Sequence, residues 1–238
     1  MNTLLLTAAD LRTESQAIIT SSYHLEHIRT VHNAQIGDLL KLGMLNGPLG
    51  QGRIIALDHE RIILGEITFN QEPPAPLPLT LLLALPRPKM LKRILQTVTT
   101  LGVKEIYLMN SYRVEKSYWQ SPWLTPEAIH QQLLLGLEQG CDTQLPEVQL
   151  IKRFKPFVED ALPALIKGTR ALVAHPYADQ QCPRQTKEAI TLAIGPEGGF
   201  IPYEVDLLQQ VGFEPVSVGA RIMRVETAVP FLLGRIFG

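Results

Sequence analysis

The sequence predicts an α/β chain whose parallel sheet is covered by helices, preceded by a small β-rich unit. Three observations carry this. From Leu79 onward, short apolar runs alternate with amphipathic stretches, the pattern of strands buried on both faces between helices. Before Leu79 the chain reads as short strands divided by tight turns, which suits a small barrel. Between the two regions lies Gln71-Glu72-Pro73-Pro74-Ala75-Pro76-Leu77-Pro78, whose prolines make an extended, semi-rigid linker. The boundary falls near Pro74, giving units of residues 1–72 and 73–238.

In the first unit Ala17-Ile18-Ile19-Thr20 reads as a strand, and Tyr23-His24-Leu25-Glu26-His27-Ile28-Arg29 follows in the same β-rich stretch. Gly37-Asp38 opens a further strand, and Asn46-Gly47-Pro48 begins a turn cluster. Residues 53–57 and 61–67 are two strands around Asp58-His59-Glu60. In the second unit residues 79–85 form a buried strand, and residues 89–101 a helix closed by Gly102. Residues 105–110 form a strand. A helix to about Glu138 follows the N-cap Thr125, with Pro126 at its first position. Residues 148–151 and 170–174 are strands. Between them residues 157–166 read as a helix broken at Pro163. The run Ala189-Ile190-Thr191-Leu192-Ala193-Ile194 is a buried strand, followed by a helix over 202–211, a strand over 213–218 and a last helix over 227–236. Pro230 is placed in the first turn of that helix, where amides lack partners anyway.

Composition excludes several classes. No apolar run reaches the roughly 18–20 uncharged residues of a membrane helix. The start, Met1-Asn2-Thr3-Leu4-Leu5-Leu6, lacks the basic region of a signal peptide. Cys141 and Cys182 have no CxxC spacing, which argues against a zinc site or disulfide framework and fits a reducing cytoplasm. His24, His27 and His32 match no metal-ligand spacing, so no metal is expected. A net charge of −1 gives no global signature for nucleic acid, so an RNA-binding role would rest on local patches.

Three loops follow consecutive sheet strands: His175-Pro176-Tyr177, Gly195-Pro196-Glu197-Gly198-Gly199-Phe200, and the stretch from Gly219 to Ala228. In a parallel sheet such loops gather at one end and can share a pocket. The third is dense in polar groups. Arg221 and Arg224 suit phosphate or carboxylate, whereas a structural Arg224–Glu226 pair with Thr227 as a helix cap explains the same residues without function. Glu197 reads equally as a solvated loop residue.

Gly195-Pro196-Glu197-Gly198-Gly199-Phe200 followed by Glu204, then Gly219-x-Arg221-Ile222-x-Arg224-x-Glu226-Thr227-Ala228, resembles the RsmE family, the ribosomal RNA small-subunit methyltransferases E of the SPOUT superfamily. Gln96-x-x-Thr99-x-Leu101-Gly102-Val103, Glu138-Gln139 and His24-Leu25-x-x-Ile28-Arg29 with Gly37-Asp38 extend the likeness over nearly the whole chain. The resemblance implies an N-terminal PUA-like RNA-binding β-barrel and a C-terminal SPOUT domain with a deep trefoil knot. It implies a cytoplasmic homodimer that uses S-adenosyl-methionine to methylate N3 of a uridine in 16S rRNA of the small ribosomal subunit. The sequence departs from the family pattern at Gly140-Cys141-Asp142, where Ser or Thr, a small residue and Arg are usual. Thr97 and Thr100 stand for Lys and Glu, and Met223 and Val225 for Leu and Thr. An acidic Asp142 would reverse the charge of a phosphate contact.

On this reading His175, Ile194, Gly195, Pro196, Glu197, Gly198, Gly199, Val218, Gly219, Ile222, Met223, Thr227 and Ala228 bind the cofactor, mostly through backbone groups. Uracil N3 must lose a proton, so Arg221 or Arg224 would stabilise the anion and Glu197 or Glu226 would accept the proton. Each Glu has the alternative of binding ribose or pairing with an Arg. Arg29, Lys89, Lys92, Arg93 and Arg113 are the RNA contacts, with Lys116, Tyr112, Tyr118 and Trp119 beside Arg113. Three competing readings remain: a nucleotide-binding enzyme, a SPOUT methyltransferase acting at another RNA site, and a non-catalytic RNA-binding relative. The first lacks the Lys-Ser/Thr and GxGxxG signatures.

Overall fold

The computed structural model describes residues 2–238, which form two compact units. One comprises the chain up to Ala75 together with Leu133–Leu145, and the other Pro76–Gln132 with Pro146–Gly238.

The first unit contains strands β1 (Leu4–Leu6), β2 (Leu11–Thr13) and β3 (Gln16–Ile19), helix α1 (Ser22–Thr30), and strands β4 (Leu39–Met44), β5 (Leu49–Leu57) and β6 (Ile62–Gln71). The strands form one sheet in the order β1-β4-β5-β6-β3-β2. All its pairings are antiparallel except β1 with β4. Leu4, Leu6, Ile19, Leu42, Ile54, Ile62 and Leu64 make its core. The stretch around Tyr23, met among strands in the sequence, is helical instead. Leu25 and Ile28, three apart, are its buried residues and join the same core. That burial outweighs the local β-rich context. His24 Nε2 lies 2.8 Å from Glu138 Oε1, and the Glu138 carbonyl accepts from the amides of Asn2 and Thr3.

Asp142 is also part of this unit. Its side chain is buried and accepts hydrogen bonds from the amides of Thr143 (2.6 Å) and Gln144 (3.0 Å). The departure from the family pattern therefore caps the turn after Cys141, whose φ is 53°, and is buried there.

The second unit is the α/β part. Its elements are β7 (Leu79–Ala84), α2 (Pro88–Thr100), β8 (Glu105–Met109), α3 (Pro126–Gly140, from Leu133 counted with the first unit) and β9 (Glu147–Ile151). Then come α4 (Phe154–Pro156), a π turn (Phe157–Ala161) and α5 (Leu162–Leu165), followed by β10 (Arg170–Ala174), β11 (Ile190–Ile194), α6 (Pro202–Gln210), β12 (Glu214–Val216) and α7 (Val225–Phe237). The strands form a wholly parallel sheet in the order β12-β10-β11-β7-β8-β9. Every residue of β7 and β11 is buried, as expected of central strands covered on both faces. Thr125 caps α3, its hydroxyl accepting from the amide of Ala128.

Two expectations change. Pro163 does not break its helix. The wider π turn just before it accommodates a residue that cannot donate to the i−4 carbonyl, and helix resumes through Pro163. The last helix begins at Val225 rather than Thr227, so Pro230 lies in its interior, not its first turn. Pro230 leaves the carbonyl of Glu226 without its usual intrahelical donor. Across the sheet edge Arg170 donates to Glu214 at 2.8 Å. That bond, with one from Gln180, holds the Glu214 carboxyl below its ordinary range.

Candidate functional site

The site follows from the sheet order. β12, β10 and β11 are neighbours and parallel, and Ala174 is in register with both Ile194 and Val216. Three strand ends are thus aligned, and the loops leaving them enclose one cavity of about 380 Å³. The wall after β10 is secured by main-chain bonds. The His175 amide donates to Val216, and Ser217 exchanges bonds with Gln180 and Cys182. The loop after β11 turns tightly, the Gly199 amide donating to the Pro196 carbonyl at 2.7 Å with Gly199 at φ +70°. A Cβ on Gly195 would lie 2.8 Å from the Phe200 backbone nitrogen, so only glycine fits there. The third wall is the loop from Val218 to Met223 and the start of α7, which presents Val225, Ala228 and Leu232 at helical spacing.

Of the residues expected to hold the cofactor, His175, Ile194, Gly195, Pro196, Glu197, Gly198, Gly199, Val218, Gly219, Ile222, Met223 and Ala228 line this cavity. Thr227 does not. With α7 starting at Val225 and turning Val225 and Ala228 inward, Glu226 and Thr227 fall on other faces of the first turn. Thr227 is not the cap either. Arg224 occupies that position, and its carbonyl accepts from Thr227 and Ala228. Among the four expected catalytic residues, Arg221 and Glu197 line the cavity, whereas Arg224 and Glu226 do not. No ion pair joins Arg224 to Glu226 among the described residues, so the structural pair weighed from sequence is not formed.

Glu197 has a defined task. Its Oε1 accepts from the backbone amide of Arg87 at 3.0 Å and lies 3.8 Å from that residue's guanidinium Nε. It braces the glycine loop to the N-terminus of α2. Tyr118 stands nearby. Burial first, then its hydrogen bond to Glu115, raises its phenol above the ordinary range.

Arg113 reaches the rim from the loop after β8 and donates to the Gly198 carbonyl. It was placed among RNA contacts by sequence, and the structure sets it against the glycine loop, lining the cavity. Lys89 and Arg93 are exposed on α2, while Lys92 sits 3.8 Å over the Trp123 ring. Arg29, in the first unit, is exposed and 3.1 Å from His59. Sequence reasoning missed Ala174, Val216 and Ser217, each at or next to a strand end, and Leu232, four residues after Ala228 on α7. The register of the three strands and the helical period are the signals that point to them.

Glu204 holds the site from behind. Buried at 3% exposure, its carboxylate accepts from the amides of Tyr112 (2.7 Å) and Ile201 (3.0 Å). It thereby ties the loop after β8 to the start of α6. Glu204→Ala leaves both amides without an acceptor and is expected to cost about 2–4 kcal/mol. Glu204→Gln keeps one of the two acceptor oxygens but turns an NH2 against the other amide, so it should recover only part of that cost. Urea unfolding midpoints of the two variants check this, and equal midpoints would contradict it.

Residues 73–237 match the RNA methyltransferase domain family. Over 206 residues the chain is 30% identical to the ribosomal RNA small subunit methyltransferase E of Treponema pallidum, covering 85% of this chain and 77% of that one. The chain belongs to the RsmE family of RNA methyltransferases. A further RsmE relative, the ribosomal RNA small subunit methyltransferase E 1 of Borreliella burgdorferi, is 26% identical over 228 residues, covering 96% and 94% of the two chains. The crystal structure of the RsmE protein of Neisseria gonorrhoeae, bound to S-adenosyl methionine, has the same fold. Its TM-score is 0.75 at 20% identity, covering 98% of this chain and 95% of that one. Membership in the RsmE family makes this chain an RNA methyltransferase.

Proposed function

We propose that the chain transfers a methyl group from S-adenosyl-methionine to N3 of a uridine in 16S rRNA. The observation that carries the reading is the cavity formed by three adjacent strand-end loops, with Gly195 too crowded for any side chain. Its volume suits a small-molecule ligand. Its walls offer main-chain groups and apolar side chains, which suit an adenosine and the aliphatic stem beside its sulfonium. The domain roles belong to the same proposal: residues 1–72 as a PUA-like RNA-binding barrel and residues 73–238 as a knotted SPOUT domain. Support for the knot is the strand order, in which β11 lies between β7 and β10, both earlier in the chain. The working form is a cytoplasmic homodimer.

When bound, the cofactor supplies a methyl group on a sulfonium for direct displacement. The chain's part is to position the two reactants in line and to stabilise the uracil as it loses its N3 proton. The loops after β10, β11 and β12 hold the adenosine through backbone groups. Arg221, exposed at the rim and without a carboxylate partner among the described residues, stabilises negative charge at O2 or O4. Glu197 is engaged by Arg87 and serves as a brace. With Glu226 outside the lining, the proton leaves to solvent.

Two measurements test this. Calorimetry should detect S-adenosyl-methionine binding, and tight ATP binding in its place would overturn the reading. Mass mapping of 16S rRNA from cells with and without the gene should show one methyl-uridine lost in its absence. Loss of a methyl elsewhere, or no loss, would overturn the target. The buried position of Asp142 favours the family's own target over another RNA site, because the altered residue is not presented to a ligand.

A further inference from the structure

We propose that a second cavity, beside the first, receives an unpaired nucleotide of the RNA substrate next to the methylated base. This rests on the methyltransferase reading above and adds a site to it. The cavity measures about 600 Å³ and lies between the loop after β8 and the starts of α4 and α6. It shares a wall with the first. Arg113 lines the first cavity, while its neighbours Tyr112 and Val114 line the second.

Its chemistry is that of a single-stranded base site, where aromatic faces stack bases and cations meet the backbone. Tyr112 and Tyr203 are 79% and 51% exposed, unusual for large rings with nothing to cover them. The Trp119 indole is fixed by its hydrogen bond to Asn110 Oδ1 at 2.9 Å. Lys116 and Lys155 bring positive charge, Lys155 being only loosely paired with Glu159 at 3.7 Å. The acidic residue in the lining, Glu204, has both oxygens committed to backbone amides and does not invite a cation.

An independent observation points to a polar ligand. Ser111 lines this cavity at 3% exposure, and its buried hydroxyl has no hydrogen-bond partner among the described residues. A base edge would satisfy it. An apolar partner would leave it unmet, so the aromatic surface fits a nucleobase better than an apolar side chain.

Two measurements test the site. In a Trp123→Phe background Trp119 is the sole indole, and titration with single-stranded oligouridylate should quench its fluorescence. The Tyr112→Ala, Lys116→Ala double variant, both positions exposed, should raise KM for unmethylated small ribosomal subunits about tenfold. Cofactor affinity and kcat should stay near wild type. Absent quenching, or an unchanged KM in a double variant whose parent methylates subunits, overturns the proposal. A parent that transfers no methyl to subunits overturns the proposed function instead, and the oligouridylate titration still reads the cavity. A sedimentation shift in the variant would assign this surface to contact between copies of the chain, which also overturns it.

Discussion

Gly195→Ala is expected to weaken S-adenosyl-methionine binding tenfold or more without unfolding the protein. The added Cβ would meet the Phe200 backbone nitrogen at 2.8 Å and the Gly199 carbonyl carbon at 3.2 Å. Neither can step aside by rotating a side chain. Phe200 is buried and packs against Phe154, with ring centroids 6.1 Å apart, so the turn itself must open. Overpacking of this kind costs about 1–3 kcal/mol. That cost falls on a loop that lines the proposed cofactor cavity, and each 1.4 kcal/mol is about tenfold in affinity. Gly198→Ala is the control. Its Cβ would meet Arg113 Cδ at 2.8 Å, the outer part of an exposed, flexible side chain, so Arg113 swings and affinity falls little. Calorimetry on both variants decides. Equal affinities for Gly195→Ala and the parent would remove the crowded glycine from the binding argument.

The alternation of strands and helices was legible because β7 and β11 are buried on both faces and read as unbroken apolar runs. Their order in the sheet was not. Placing β11 between β7 and β10 depends on pairings between residues about a hundred positions apart in the chain, to which local pattern is blind. The start of α7 was misplaced for a related reason. Thr227 is the better cap by residue type, but burial of Val225 fixes the first turn two residues earlier. That shift alone decides that Glu226 and Thr227 leave the cavity and that Pro230 is interior. Glu197 and Asp142 show the same limit for charges. One is held by an amide 110 residues away, the other is buried within its own turn. A sequence lists both only as acidic. The glycine loop was readable in advance because the constraint on it is local: a strand end, a tight turn, and no room for Cβ.

Arg221→Ala is expected to lower kcat about a hundredfold, the loss typical when one charge-stabilising donor is removed from a transition state. Affinity for S-adenosyl-methionine should change little, since the proposed cofactor contacts are made by main-chain groups of the loops. Arg224→Ala and Glu226→Ala, whose side chains do not line the cavity, should leave kcat within about threefold. Stability alone cannot mimic the proposed role, because an anion-stabilising cation has a pH signature. As pH rises, uracil N3 gives up its proton more readily without help, so the deficit of Arg221→Ala should shrink at alkaline pH. Arg221→Lys, which keeps the charge but not the planar fork, should recover part of the rate. Single-turnover methyl transfer across pH separates the outcomes. A deficit that is constant with pH would mean that Arg221 acts on RNA binding or loop structure rather than on the reacting base. A loss in Arg224→Ala equal to that of Arg221→Ala would move the anion contact to the residue at the start of α7.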